Sequence, residues 1–295
     1  MSEQVLSPPK EQLDESHVQE AIQHGVELSD EGYAKWRDEF ITDRLAKLEA
    51  SSEPREFTGL SAPTTEFFHP NSEIKPLFLG RGFQLDDPQI YHAFLDTLHE
   101  FYGHDHWKDP AKFGQLMFYG LQYGIQKYFG NVKPSIEDQD NREKRLWASG
   151  IISVDDEVAN PLARSISENK SEALCAERAA VAHNLLYFAG KESYFYTGEL
   201  SVDGSKPEMH GFVIFKNSRG EFIIYDPMNP EYVENEEGKI VSIKPAAYVG
   251  GEQVLAGTPV EVEHERHKLD DQGNVHMVGS KPYLYKSNPF HKITV

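Results

Sequence analysis

The chain has 295 residues, with 48 acidic against 29 basic side chains, a formal charge of −19 and 39% hydrophobic residues. That is an ordinary composition for a folded protein, and its acidic surface repels nucleic acid and anionic membranes, whose binding rests on lysine and arginine. A single cysteine, Cys175, excludes an internal disulfide and any cysteine-based zinc finger.

No run of about 18 apolar residues is present to span a bilayer. The opening MSEQVLSPPKEQLDESH has neither the basic start nor the apolar stretch of a secretory signal, so a cytoplasmic location is expected. Residues 1–16 are polar and hold too little apolar surface to fold alone, which predicts a loose tail. From 17 to 49, apolar residues recur at three- and four-residue steps, first Val18, Ala21, Ile22 and Val26, then Tyr33, Trp36, Phe40, Ile41, Leu45 and Leu48. Two helices fit, with Ser29-Asp30 supplying a stop and a new cap. Ser51–Pro54 reads as a linker and 57–76, with three prolines, as an irregular connection.

Residues 77–130 are rich in aromatics. Asp86-Asp87-Pro88 predicts the cap and first turn of a helix over about 88–102, and Pro110 begins another that ends near Gly130. Aromatics at helical spacing argue for core packing. Residues 17–150 thus form a helical region.

The next helix follows Ser171, its expected N-cap, with Leu174, Val181, Leu185 and Phe188 on one stripe and Gly190 as the stop. Three strand-like runs follow at 193–200, 209–216 and 220–226, and strand character continues beyond 238, with a turn at 271–274. Helices first, then a helix with an antiparallel sheet, predict an α+β fold, with 151–295 as a core carrying a C-terminal β extension.

Within this core, a thiol, an imidazole and a carboxylate come from separate elements. Cys175 lies in the first turn of its helix, where unpaired amides and the helix dipole favour thiolate. His210 opens one strand and Asp226 closes the next. If Lys216 pairs with Gly220 across the intervening turn, His210 falls directly opposite Asp226, and the carboxylate fixes the imidazole tautomer. Taken singly, Cys175 is equally well a small buried hydrophobe, and His210 and Asp226 a strand-start and a turn residue. Asn169, six residues upstream of the cysteine, is a candidate side-chain donor to an oxyanion, in competition with a helix-capping role.

The order Cys…His…Asp, with 34 and then 15 residues between them, resembles the transglutaminase-like superfamily of papain-like enzymes. The matching text is Cys175-Ala176-Glu177 opening an alanine-rich helix, the strand Tyr194–Gly198, His210-Gly211-Phe212-Val213 and Tyr225-Asp226-Pro227. The likeness covers about 60 residues within 165–230 and departs at Leu174, where a glycine is frequent, and at Gly211, where tryptophan or alanine is. It implies Cys175 as nucleophile, His210 as base and Asp226 as orienting residue. It also implies a cysteine at a helix N-terminus packed on an antiparallel sheet, and acyl transfer through a thioester on the carboxamide or peptide bond of a protein or peptide substrate. A transglutaminase, a glutamine deamidase and a peptidase all fit, and no cofactor is expected. The alternative is a transglutaminase-like module that binds without catalysis.

A metal-binding protein is the weaker rival. His99, His104 and His106 are close in sequence, but His99 and His104 are five apart, whereas the zinc-protease pattern needs four. His264, His267 and His276 form a second group, with 267 and 276 opposed across the 270–274 turn, and read best as exposed strand residues. No metal is therefore expected.

Overall fold

A computed structural model describes residues 24–25, 27–50, 83–84, 87–102, 110–130, 164–165, 170, 173–189, 191, 193–217 and 219–286. Asn169, Ser171, Gly190, His104, His106 and the tail over 1–16 lie outside the described residues. None of the described helices is long and apolar enough to cross a membrane.

Residues 24–25 are helical, and after the break at 27–29 helix α1 runs Asp30–Ala50, its start capped as its sequence directs: Ser29 Oγ accepts the Gly32 amide at 3.3 Å. A two-residue strand β1 (Phe83–Gln84) precedes α2 (Gln89–Tyr102) and α3 (Pro110–Phe129). Asp87 Oδ1 accepts the Gln89 amide at 3.0 Å, and Gly130, at φ +88°, takes the left-handed turn that ends α3. An Arg37–Asp96 ion pair of 2.7 Å ties α1 to α2. Strand β2 (Arg164–Ser165) pairs in parallel with β1.

Helix α4 (Cys175–Phe188) is the central element. It starts at Cys175 itself, three residues later than a cap at 171 predicts: Leu174 is the cap, its carbonyl accepting the Arg178 amide at 3.1 Å. Leucine has no capping oxygen, and Glu177 reaches back to accept the Leu174 amide at 3.1 Å, one half of a capping box. The expected apolar stripe is also corrected. Residues 179–186 are buried all round, Ala179 to Ala182 completely, because α2 and α3 cover the face of α4 turned away from the sheet.

Six strands follow: β3 (Ser193–Val202), β4 (Glu208–Lys216), β5 (Phe222–Glu234), β6 (Ile240–Val249), β7 (Val260–Leu269) and β8 (Val275–Lys286), with a short helix α5 (Gly251–Leu255) between β6 and β7. They hydrogen-bond in the order β4-β3-β8-β7-β5-β6, and β4 also pairs with β5, so five strands close a ring with β6 flanking β5. The fold is thus mixed α+β. Strand β5 does not stop at Asp226-Pro227 as the sequence suggests. It continues to Glu234 through a register irregularity between Asp226 and Glu231, pairing with β4 before it and with β7, in parallel, after it. Pro227 and Pro230 in that interval donate no amide to a ladder, which suits a strand changing partners. Buried residues of α2, α3, α4 and the sheet form one hydrophobic cluster.

Candidate active site

The turn between β4 and β5 fixes how His210 meets Asp226. Asn217 Oδ1 accepts the amides of Arg219 and Glu221, each at 2.9 Å, and Gly220 takes φ +79°. The loop this builds is two residues longer than the tight turn expected, so Lys216 pairs with Phe222 and not with Gly220. His210 is therefore not directly opposite Asp226. The shift is an even number of residues, however, and Ile214 opposite Ile224 keeps even-numbered residues of both strands on one face. Across that face His210 Nε2 lies 2.7 Å from Asp226 Oδ2.

Asp226 is fully buried, and five donors surround it. Oδ2 accepts from His210, from Tyr285 Oη at 2.9 Å and from Asn229 Nδ2 at 2.9 Å; Oδ1 accepts the amides of Met228 at 3.0 Å and Asn229 at 3.3 Å. Burial pushes its pKa up, but the His210 charge and these hydrogen bonds outweigh it and hold the carboxyl at about 2. With Nε2 committed to the carboxylate, Nδ1 is the nitrogen left to serve the thiol.

Cys175 is half-buried. Burial raises its pKa, while the His210 charge, a hydrogen bond from the His210 ring and one from the Gly211 amide pull the other way and leave the thiol below its ordinary value. In return, although burial alone would depress it, His210 is raised to about 10 by Asp226 first and Cys175 second. The two shifts are mutual: the imidazolium charge favours the thiolate, and the thiolate favours the imidazolium.

Gly211 makes this approach possible. A β-carbon there would stand 3.0 Å from Ala176 Cα and 3.2 Å from both Ala176 N and the Cys175 carbonyl carbon, so glycine lets β4 lie against the first turn of α4 without either backbone giving way. The structure thus brings Cys175, His210 and Asp226 together. Sequence reasoning missed Asn229, Tyr285 and the role of Gly211. The Asp-Pro-Met-Asn run is a turn signal that could have pointed to Asn229, whereas nothing local marks Tyr285, 59 residues beyond Asp226.

The other histidines take different places. His99 stacks on Tyr33 at 3.7 Å between ring centroids. His264 and His267 are buried, correcting the expectation of exposure, and only His276 of that group is exposed, bonded to Asp270 at 2.8 Å. A register irregularity at Arg266/His267 sets His267 opposite Met277 and His276 opposite Lys268. Ligand atoms of Glu231, Glu265 and His267 lie within 4.8 Å of one another. The Lys244 ammonium sits among them, 2.9 Å from His267 Nε2, 3.3 Å from Glu231 and 3.4 Å from Glu265, and supplies the positive charge this group calls for.

No protein-family model matches the sequence, and no curated protein and no solved structure is significantly similar to it.

Proposed function

We propose that this protein is a cysteine-dependent acyl-transfer enzyme of the transglutaminase-like type, built on a papain-like core and acting on amide groups of a protein or peptide. The observation that supports this reading above any other is the meeting of Cys175, at the first position of α4, with a His210 ring that Asp226 holds at 2.7 Å. A thiolate–imidazolium pair with an orienting carboxylate is what nucleophilic catalysis by cysteine requires.

In the proposed reaction the Cys175 thiolate attacks the carboxamide carbon, forming a C–S bond and an oxyanion. The amide of Cys175 belongs to the first helical turn, where amides lack intrahelical acceptors, and so serves as a donor to that oxyanion. A second donor from Asn169 is proposed on sequence grounds alone. The tetrahedral intermediate collapses as His210 gives its proton to the leaving nitrogen, which departs as ammonia or an amine and leaves a thioester. His210, now neutral, takes a proton from the second nucleophile. Water then yields a carboxylic acid, a primary amine yields a new amide, and Cys175 leaves as thiolate in either case.

Alkylation with iodoacetamide over a pH series tests the first step: Cys175 should label well below the free-thiol pKa of about 8.5. Incubation with a glutamine-rich protein, with and without a fluorescent primary amine, separates the outcomes. Amine incorporation identifies a transglutaminase, ammonia release alone a deamidase, and new chain termini a peptidase. A thiol that labels only at its ordinary pKa, together with no product, would reject the enzyme in favour of a binding module.

A further inference from the structure

We infer that Tyr285 is a positioning residue for the proposed site: its phenol, delivered by the last strand of the ring, shares Asp226 Oδ2 with the His210 imidazole and so sets how tightly the carboxylate holds that imidazole. The inference rests on the acyl-transfer reading and goes beyond it by making the C-terminal strand part of the site.

Tyr285 is wholly buried and pinned on both edges of its strand, opposite Leu200 on β3 and opposite Val260 on β7. Its ring packs edge-on against Phe212 at 5.3 Å and beside Tyr248 at 6.2 Å. The phenol therefore cannot swing to follow the carboxylate; the carboxylate must meet it. The remaining non-histidine donors to Asp226 come from Met228 and Asn229, two and three residues along the same turn, and move with it. Tyr285 is the donor that ties Asp226 to the far side of the ring.

The phenol also tunes charge. Each hydrogen bond that Oδ2 accepts spreads its negative charge and leaves less of it facing His210 Nε2. Without the phenol, more of that charge bears on the imidazolium. His210 would then hold its proton more tightly and give it less readily to a leaving nitrogen.

Y285F retains the ring and its packing and removes only the hydroxyl. NMR titration of the His210 ring should show its pKa raised by about half to one pH unit relative to wild type. Replacement of Tyr285 by a fluorotyrosine, whose more acidic phenol is a stronger donor, should move the ring pKa downward, and it covers the case in which Y285F fails to fold. A ring titration that stays put in both variants, or moves the same way in both, would overturn the inference. Loss of the underlying reading looks different: wild-type Cys175 would then label with iodoacetamide only near its ordinary pKa, whatever stands at 285.

Discussion

Gly211 and Ala176 meet backbone to backbone: the β-carbon that any other residue would place at 211 falls 3.0 Å from Ala176 Cα. Backbone yields less readily than a flexible side chain, so G211A should move β4 and the start of α4 apart by a few tenths of an ångström. Overpacking of this kind costs about 1–3 kcal/mol. It also separates the Gly211 amide and the neighbouring His210 ring from the Cys175 sulfur. G211A should therefore lower the urea midpoint by a corresponding amount and slow Cys175 alkylation at pH 6. Equal stability with unchanged labelling would show that the contact relaxes freely.

His210 is what holds the thiol low. Burial alone pushes Cys175 upward, and the downward pull comes first from the His210 charge and then from hydrogen bonds of His210 and Gly211. H210A removes the charge and one bond while leaving much of the burial. The alkylation profile of Cys175 should then move toward higher pH, at or above the ordinary thiol range of about 8.5. A profile that stays low in H210A would assign the priming to the helix terminus and the Gly211 amide instead.

The elements of this fold were largely legible because their signals are local. Ser29 and Asp87 mark caps, Pro110 and Gly130 bracket a helix, and aromatic and β-branched runs mark β3 to β5. What escaped was set by long-range packing. Leu174, Val181, Leu185 and Phe188 read as one apolar stripe, yet helices and strands from distant parts of the chain bury every face of α4 over 179–186. His264 and His267 sit in a strand of alternating charge, and nothing nearby tells that Lys244, Glu231 and Tyr248 fold over them. The hairpin register was missed because the Asn217 side chain stabilises a longer loop. The site survived that error because the shift was even, so His210 and Asp226 stayed on a common face.

Two buried groups predict loss of stability in acid. Asp226 titrates at about 2 in the folded chain, below the unfolded value of 3.8, so its contribution is complete above the unfolded pKa and is lost as pH falls through about 2. His183, fully buried in α4 with its Nδ1 2.8 Å from Ser193 Oγ, is depressed by burial to about 3 from 6.5. The unfolded chain binds that proton below 6.5 and the folded chain does not until about 3, so stability falls across this window as pH is lowered. Urea unfolding at successive pH values should show a slope between pH 6.5 and 4 that H183Q reduces and D226N does not. An identical slope in wild type and H183Q would place the acid sensitivity elsewhere.

Glu231 should matter to stability and not to the thiol. Its buried carboxylate accepts from Tyr248 Oη at 3.4 Å and from the Glu265 amide at 3.3 Å, and lies 3.3 Å from Lys244 and 3.4 Å from His267. E231A leaves these groups facing an emptied buried site. The cost should fall at or below the low end of the roughly 3–5 kcal/mol seen when one partner of a buried pair is removed, because Lys244 is partly exposed and Glu265 remains to hold it. None of these contacts reaches Cys175 or His210. The variant should therefore unfold at lower urea yet keep the wild-type pH profile of Cys175 alkylation. A shifted alkylation profile in the folded variant would mean that the Glu231 cluster and the Asp226 site act as one electrostatic unit across β5.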